Sequence, residues 1–240
     1  MLIRTPAIVL STLKYGESDL IARIYTRDLG TQSYMLKGIR KSRKGKLRVS
    51  LFQPLTQLEI ETQHKGKGTL EYIKEANLSY VYVSIPADIA KSSVALFFGE
   101  VLSQLLTEQQ PDEQLYNYLS NVFSYLDQTD HVANFTIKTL LDISGLMGFG
   151  MDQTSMDYPY FNMLDGTFDN NGMLPHHLSE AESSLFKEFV GTNFDAIPTI
   201  KINREQRGTL LHLVLDYFKI HLHTFKKPAS LDILKQLFDS

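Results

Sequence analysis

Apolar and polar positions alternate along the first third of the chain, then switch to a helical period. Residues 5 to 14 read as a strand, with Ile8 and Leu10 on one face and Ala7 and Val9 on the other. After a turn at Tyr15-Gly16-Glu17-Ser18, residues 19 to 27 form a second strand. There Leu20, Ala22 and Ile24 oppose Ile21, Arg23 and Tyr25. Asp28-Leu29-Gly30 closes a hairpin onto a third strand at 31 to 39, with Gly30 free to take a positive φ. Residues 54 to 62 make a fourth strand, alternating Leu58 and Ile60 with Gln57, Glu59 and Glu61. A turn at 65 to 68 leads to a fifth strand at 69 to 76, and the extended chain runs on toward Val83. Five short strands joined by glycine-bearing turns predict a small barrel, for which the five-stranded OB type is one candidate.

From Pro86 the period becomes helical. Val94, Phe97, Phe98, Val101, Leu102 and Leu105 form one stripe. Leu115, Tyr118, Leu119, Val122, Phe123 and Leu126 form the next, and Phe135, Ile137, Leu140, Leu141 and Met147 a third. Ser179 and Glu182 have capping-box spacing before a helix that runs to about Val190. Asn203 is placed to cap a long helix carrying Leu210, Leu211, Val214, Tyr217, Phe218 and Leu222. Leu231, Leu234, Leu237 and Phe238 mark a last short amphipathic segment. The fold class is therefore α+β: a five-stranded barrel over residues 1–80, then an all-helical domain over 81–240. Between about 150 and 178 a crowd of Asp, Asn, Gly and Pro breaks the period, an excursion that Tyr158, Tyr160, Phe161 and Phe168 would pin by burial.

Charge sharpens this division. The net charge of -3 conceals +7 over residues 1 to 75 and -10 over the remainder, which suggests two parts with different partners. The positive charge concentrates at Lys37, Arg40, Lys41, Arg43, Lys44, Lys46 and Arg48, with no acid among them and Gly38 and Gly45 favouring a loop. A cationic loop between strands suits a phosphate backbone; it also fits a plain solvated surface. Of Tyr15, Tyr25, Tyr34, Phe52 and Tyr72, one or two are expected to be exposed platforms for stacking and the rest core.

Catalytic and metal chemistry find little support. The sequence has no cysteine, which removes disulfides, thiol nucleophiles and cysteine-ligated metal sites. Walker, dinucleotide and serine-elbow patterns are missing. His176-His177 and His221-x-His223 lack one-turn ligand spacing, so they read as surface or satisfied core histidines. Asp152, Asp157, Asp165 and Asp169 do not follow a calcium loop and read as turn formers. The basic end of the long helix (Lys219, Lys226, Lys227) suits the helix dipole, with a second contact for nucleic acid or an acidic peptide as the alternative. No secretory signal or membrane-length apolar run is expected.

Several short stretches, in order, resemble the bacterial DNA repair and recombination mediator family RecO. They are Ala7-Ile8-Val9-Leu10, Tyr15-Gly16-Glu17-Ser18-Asp19-Leu20-Ile21, Tyr25-Thr26-Arg27-Asp28-Leu29-Gly30, Lys37-Gly38-Ile39-Arg40 and Leu51-Phe52-Gln53-Pro54-Leu55. The resemblance is sharpest over residues 1 to 75. It implies an N-terminal OB-fold before a helical domain, and a cytoplasmic protein, nucleoid-associated during repair, without catalytic turnover or cofactor. It implies binding to single- and double-stranded DNA, annealing of complementary strands, and partnership with a RecR-type mediator and the acidic tail of single-stranded-DNA-binding protein. Through these it implies help in loading the recombinase RecA. The family's basic positions correspond to Lys37, Arg40, Lys41, Arg43 and Lys44, with Arg23 and Arg27 as lesser candidates. Many relatives carry a four-cysteine zinc knuckle where this chain has residues 150 to 175. Leu164-Asp165-Gly166-Thr167-Phe168 remains there without any cysteine, so zinc is not carried over and aromatic burial is expected instead. The alternative is a non-catalytic scaffold whose acidic helical domain is the main binding surface.

Overall fold

In a computed structural model the residues described are 1–41, 47–66, 70–107 and 110–238, with 236–238 described by backbone alone. Five strands open the chain: β1 Leu2–Tyr15, β2 Asp19–Thr26, β3 Gly30–Leu36, β4 Gln57–Gln63 and β5 Ile73–Leu78. They form one antiparallel sheet in the order β3-β2-β1-β4-β5. Its two outer strands then meet. Glu71, just before β5, makes a parallel bridge to Tyr34 of β3. The Met35 N–H donates to the Glu71 carbonyl at 2.8 Å, and the Glu71 N–H to that of Ser33 at 3.0 Å. A five-stranded antiparallel sheet with one parallel seam is a closed OB-type barrel.

The alternation read from the sequence sorts inside from outside. Leu20, Ala22 and Ile24 of β2 and Leu58 and Ile60 of β4 line the barrel core with Ala7, Val9, Tyr34, Leu36 and Phe52. Several strand limits differ: β1 begins at Leu2 rather than 5, and β4 at Gln57 rather than 54. β3 stops at Leu36 because Gly38 turns the chain at φ 65°. The fifth strand begins at Ile73, not 69, because Glu71 pairs with β3 instead. Beyond Leu78 the chain leaves the sheet.

The outer face of the barrel is also covered. Helix α1, Ile89–Leu105, packs over β1, where Ile8 and Leu10 are fully buried. The approach is close enough that a Cβ on Gly99 would lie 2.8 Å from the Leu10 carbonyl oxygen. Helix α2, Glu113–Gln128, presents Tyr116 to Tyr25 of β2, ring centroids 5.9 Å apart. Gln57, buried on the outside of β4, donates to the Ser120 carbonyl at 2.9 Å and meets the Tyr82 hydroxyl at 3.0 Å. A buried amide is tolerated there because its hydrogen bonds are made.

The segment between barrel and α1 is tied to the end of α2. The Asp127 carboxylate accepts the N–H groups of Val83 (3.0 Å), Ser84 (2.8 Å) and Ile85 (2.9 Å). The Ser84 hydroxyl donates to the Asp127 carbonyl, and buried Lys91 donates to the Ser84 hydroxyl at 2.7 Å. Burial raises the pKa of Asp127, but the three backbone donors outweigh it and hold the group below the ordinary carboxylate value.

The chain divides into two compact units, Met1–Gln128 with Pro228–Leu234, and Thr129–Lys227 with Lys235–Ser240. The second contains α3 Phe135–Leu146, a small hairpin of β6 Tyr160–Asn162 and β7 Thr167–Asp169, α4 Glu180–Phe189 and α5 Arg204–His221. A last helix, α6 Leu231–Phe238, starts in the first unit. The capping box of Ser179 and Glu182 starts α4, and Asn203 with Gln206 forms another at α5. In the hairpin, Phe161 stacks on Phe186 at 5.2 Å and meets Phe168 at 4.9 Å and Tyr217 at 5.6 Å. Tyr217 also donates to the Phe149 carbonyl at 2.7 Å. Tyr158 is exposed and Tyr160 half-buried, so Phe161 and Phe168 supply the expected burial. Among the described residues no helix is long and apolar enough to cross a membrane.

Candidate nucleic-acid interface

Where β1 turns into β2, the chain presents a row of acceptors to the start of the basic stretch. Asp19, the first residue of β2, accepts the Gly38 N–H at 2.8 Å and the Ser18 hydroxyl at 2.9 Å. The Arg40 N–H donates to the Ser18 carbonyl at 3.0 Å, and the Arg40 guanidinium to the Glu17 carbonyl at 2.9 Å. The Lys41 N–H closes a turn onto the Gly38 carbonyl at 3.1 Å. The Gly38 N–H, then the Ser18 hydroxyl, keep Asp19 below the usual carboxylate range, so it is ionised at neutral pH.

Packing fixes both ends of the loop. Ile39 is buried in the barrel core, and Leu47 and Leu51 pack against it from the far end. Arg48 is exposed and precedes a short 3-10 turn, Val49–Phe52, whose Phe52 fills the core. Lys37, Arg40 and Lys41 are exposed. Lys41 forms a surface pair with Glu17 at 3.4 Å, weak by its exposure. Arg43, Lys44 and Lys46 lie outside the described residues.

Two of the five aromatic candidates are surface-facing. Tyr15 is 54% and Tyr72 46% exposed, whereas Tyr25, Tyr34 and Phe52 are buried. The Lys37 ammonium lies 5.2 Å from the Tyr72 ring centroid. Pairing of Tyr15 with Asp19, Leu20 with Leu36, and Tyr34 with Glu71 sets the lateral order of these groups. Tyr15 thus stands across from Asp19 at the start of β2, and Tyr72 follows the residue that pairs with β3. Lys65 is anchored by buried Glu71, which accepts its N–H at 2.9 Å and lies 3.1 Å from His64 Nδ1; Lys67 and Gly68 lie outside the described residues.

Arg23 and Arg27 are not part of this group. Arg23 is half-buried and donates to the Leu106 carbonyl at 3.0 Å. Arg27 follows the other end of β2, eight residues and ~26 Å from Asp19, and pairs with Asp28 at 3.0 Å. The signal that sequence reading passed over is the Glu17-Ser18-Asp19 turn, which organises a loop nineteen residues downstream of Asp19.

Two of the histidines and two of the turn aspartates have structural partners. His177 lies 2.7 Å from Asp169, and His221 lies 3.0 Å from the Met163 carbonyl. Asp152 caps Thr154 at 2.9 Å, and Asp169 accepts the Asn171 N–H at 2.8 Å. Among the described residues no three His, Asp or Glu side chains gather as a metal site. Cysteine-ligated zinc does not fit residues 150 to 175, which hold no cysteine and where Phe161 and Phe168 meet in the hairpin.

Comparison with known proteins agrees with this architecture. Residues 1–82 match the family model for the recombination protein O N terminal, and residues 86–230 that for its C terminal. The chain is 42% identical to the DNA repair protein RecO of Christiangramia forsetii, over 99% of this chain and 100% of that one. It is 37% identical to that of Flavobacterium psychrophilum, over 99% of this chain and 100% of that one. For Phocaeicola vulgatus the figure is 33%, with the same coverage. The chain belongs to the RecO family, whose role is in DNA repair and recombination.

Proposed function

We propose that the protein is a non-catalytic recombination mediator that holds DNA on the barrel without reading its sequence. One observation carries this reading: exposed Lys37, Arg40 and Lys41 stand on a turn rooted in the barrel, with the exposed Tyr72 ring beside Lys37 and exposed Tyr15 across from Asp19. Cations in such a loop neutralise phosphates, and flat rings accept any base by stacking. Arg43, Lys44, Lys46 and Arg48 extend the cationic run in sequence, with Arg27 a lesser contributor and Arg23 held on Leu106. Neutralising one strand while leaving its pairing edges accessible favours annealing to a complement. In this proposal the partners are a RecR-type mediator and the acidic tail of single-stranded-DNA-binding protein, which together assist recombinase loading.

The test is fluorescence anisotropy of a labelled single-stranded oligonucleotide titrated at several salt concentrations. Engagement of about four phosphates gives a slope of log affinity against log salt near -3, at roughly 0.7 per phosphate. Reversing Arg40, Lys41, Arg43 and Lys44 to glutamate is expected to flatten the slope in a protein that still folds. Equal affinity in that folded variant would remove the loop from the interface. Absence of any binding at low salt would instead favour a protein scaffold centred on the acidic helices.

A further inference from the structure

Asp19 is a negative charge in the midst of the cations that the proposed interface presents. Coulomb attraction to phosphate is weakened by a carboxylate beside Lys37 and Lys41, so charge alone argues against an acid here. Its hydrogen bonds give it another use. Across the turn, Glu17, Ser18 and Asp19 each supply an acceptor: two main-chain carbonyls and one carboxylate. They take the Arg40 guanidinium, the Arg40 N–H and the Gly38 N–H. Gly38 sits at φ 65°, which hydrogen bonds on either side of it help to hold.

We infer that Asp19 is a positioning residue for the cationic loop, fixing its first turn so that Lys37, Arg40 and Lys41 project together on the side of Tyr15 and Tyr72. This rests on the DNA-binding reading above. The carboxylate is the one member of the acceptor row that a side-chain substitution removes without touching the two carbonyls. It is also ionised at neutral pH, which makes it the strongest acceptor of the three.

Charge and position predict opposite signs. If Asp19 acts only as a charge, both Asp19→Ala and Asp19→Asn strengthen DNA binding. If it positions the loop, Asp19→Ala weakens binding by about three- to tenfold despite losing a negative charge. Asp19→Asn keeps an acceptor oxygen for Gly38 and is expected to bind as well as the parent protein, or more tightly. Three measurements on the full chain test this: anisotropy with a labelled single-stranded oligonucleotide, a thermal melt, and the rate of tryptic cleavage after Arg40 and Lys41 without DNA. Asp19→Ala is expected to speed that cleavage at an unchanged melting point, and Asp19→Asn to leave it alone. Added to an Arg40→Ala/Lys41→Ala protein, Asp19→Ala is expected to cost no further affinity.

Tighter binding by Asp19→Ala with an unaltered cleavage rate would overturn the inference. So would an equal loss of affinity in the background lacking Arg40 and Lys41. Faster cleavage of Asp19→Ala alongside a parent protein that ignores DNA would uphold the positioning and overturn the DNA reading alone.

Discussion

Replacing Asp127 by alanine should loosen the first unit through one identifiable set of bonds. The carboxylate accepts three successive N–H groups, from Val83, Ser84 and Ile85, and alanine offers them nothing. Their costs differ because their surroundings differ. Ile85 is buried, so its N–H loses its acceptor in a dry place, at about 1–3 kcal/mol. Val83 is exposed and Ser84 half-exposed, so water replaces part of what they lose, and each costs roughly half as much. Lys91, buried beside them, also loses a nearby negative charge. The sum is about 2–6 kcal/mol, a substantial part of the ~5–15 kcal/mol that holds a domain together. In a unit of this size that lowers the melting point by roughly 10 °C. Asp127→Asn retains one acceptor oxygen and should lose about half as much.

Scanning calorimetry at neutral and acid pH provides the assay, because calorimetry separates the transitions of two units where one optical signal would merge them. The depressed pKa of Asp127 sets the pH dependence. Its stabilisation is complete above the ordinary carboxylate pKa and is lost as pH falls through the depressed one. The deficit of Asp127→Ala should therefore be largest at pH 7 and shrink as the parent protein is acidified below about pH 4. A variant melting within about 1 °C of the parent at pH 7 would refute the reasoning. A deficit unchanged down to the lowest pH at which the fold survives would show that the charge is not responsible.

Two further substitutions probe packing. Gly99→Ala places a methyl against the Leu10 carbonyl and Pro54, and should destabilise the first unit by about 1–3 kcal/mol, read as a lowered urea midpoint. Phe161→Ala empties the centre of the hairpin cluster and should cost about 3–5 kcal/mol in the second unit; an unchanged urea midpoint would show the cluster to be dispensable.

Sequence reading succeeded where the determinant is local. Alternation sorted Leu20, Ala22 and Ile24 from their neighbours, and Ser179 with Glu182 marked the start of α4, because each signal is contained within a few residues. What escaped it depends on distant partners. A period of two separates Ile8 from Val9 but does not say that α1 covers the first while the barrel encloses the second. Gln57 looks like a surface residue until Ser120 and Ser124, more than sixty positions away, satisfy its amide. Glu71 interrupts its own strand to pair with Tyr34, a closure no local pattern announces.

The candidate interface divides in the same manner. The density of cations at 37 to 48 is visible in the sequence, and Lys37, Arg40, Lys41 and Arg48 are exposed. Arg23 has the right charge, but its partner is a carbonyl eighty-three residues on. Which tyrosines face outward was equally hidden, since strand spacing alone treats Tyr15, Tyr25, Tyr34 and Tyr72 alike.

The aromatic fastening of the β6–β7 hairpin also determines how that part of the protein responds to its surroundings. A cysteine-bound metal would tie its integrity to the redox state and to competition for metal. Phe161, Phe168, Phe186 and Tyr217 tie it to temperature, because apolar attraction weakens as water cools. The hairpin should therefore hold in the presence of oxidants and metal chelators, and should weaken on cooling.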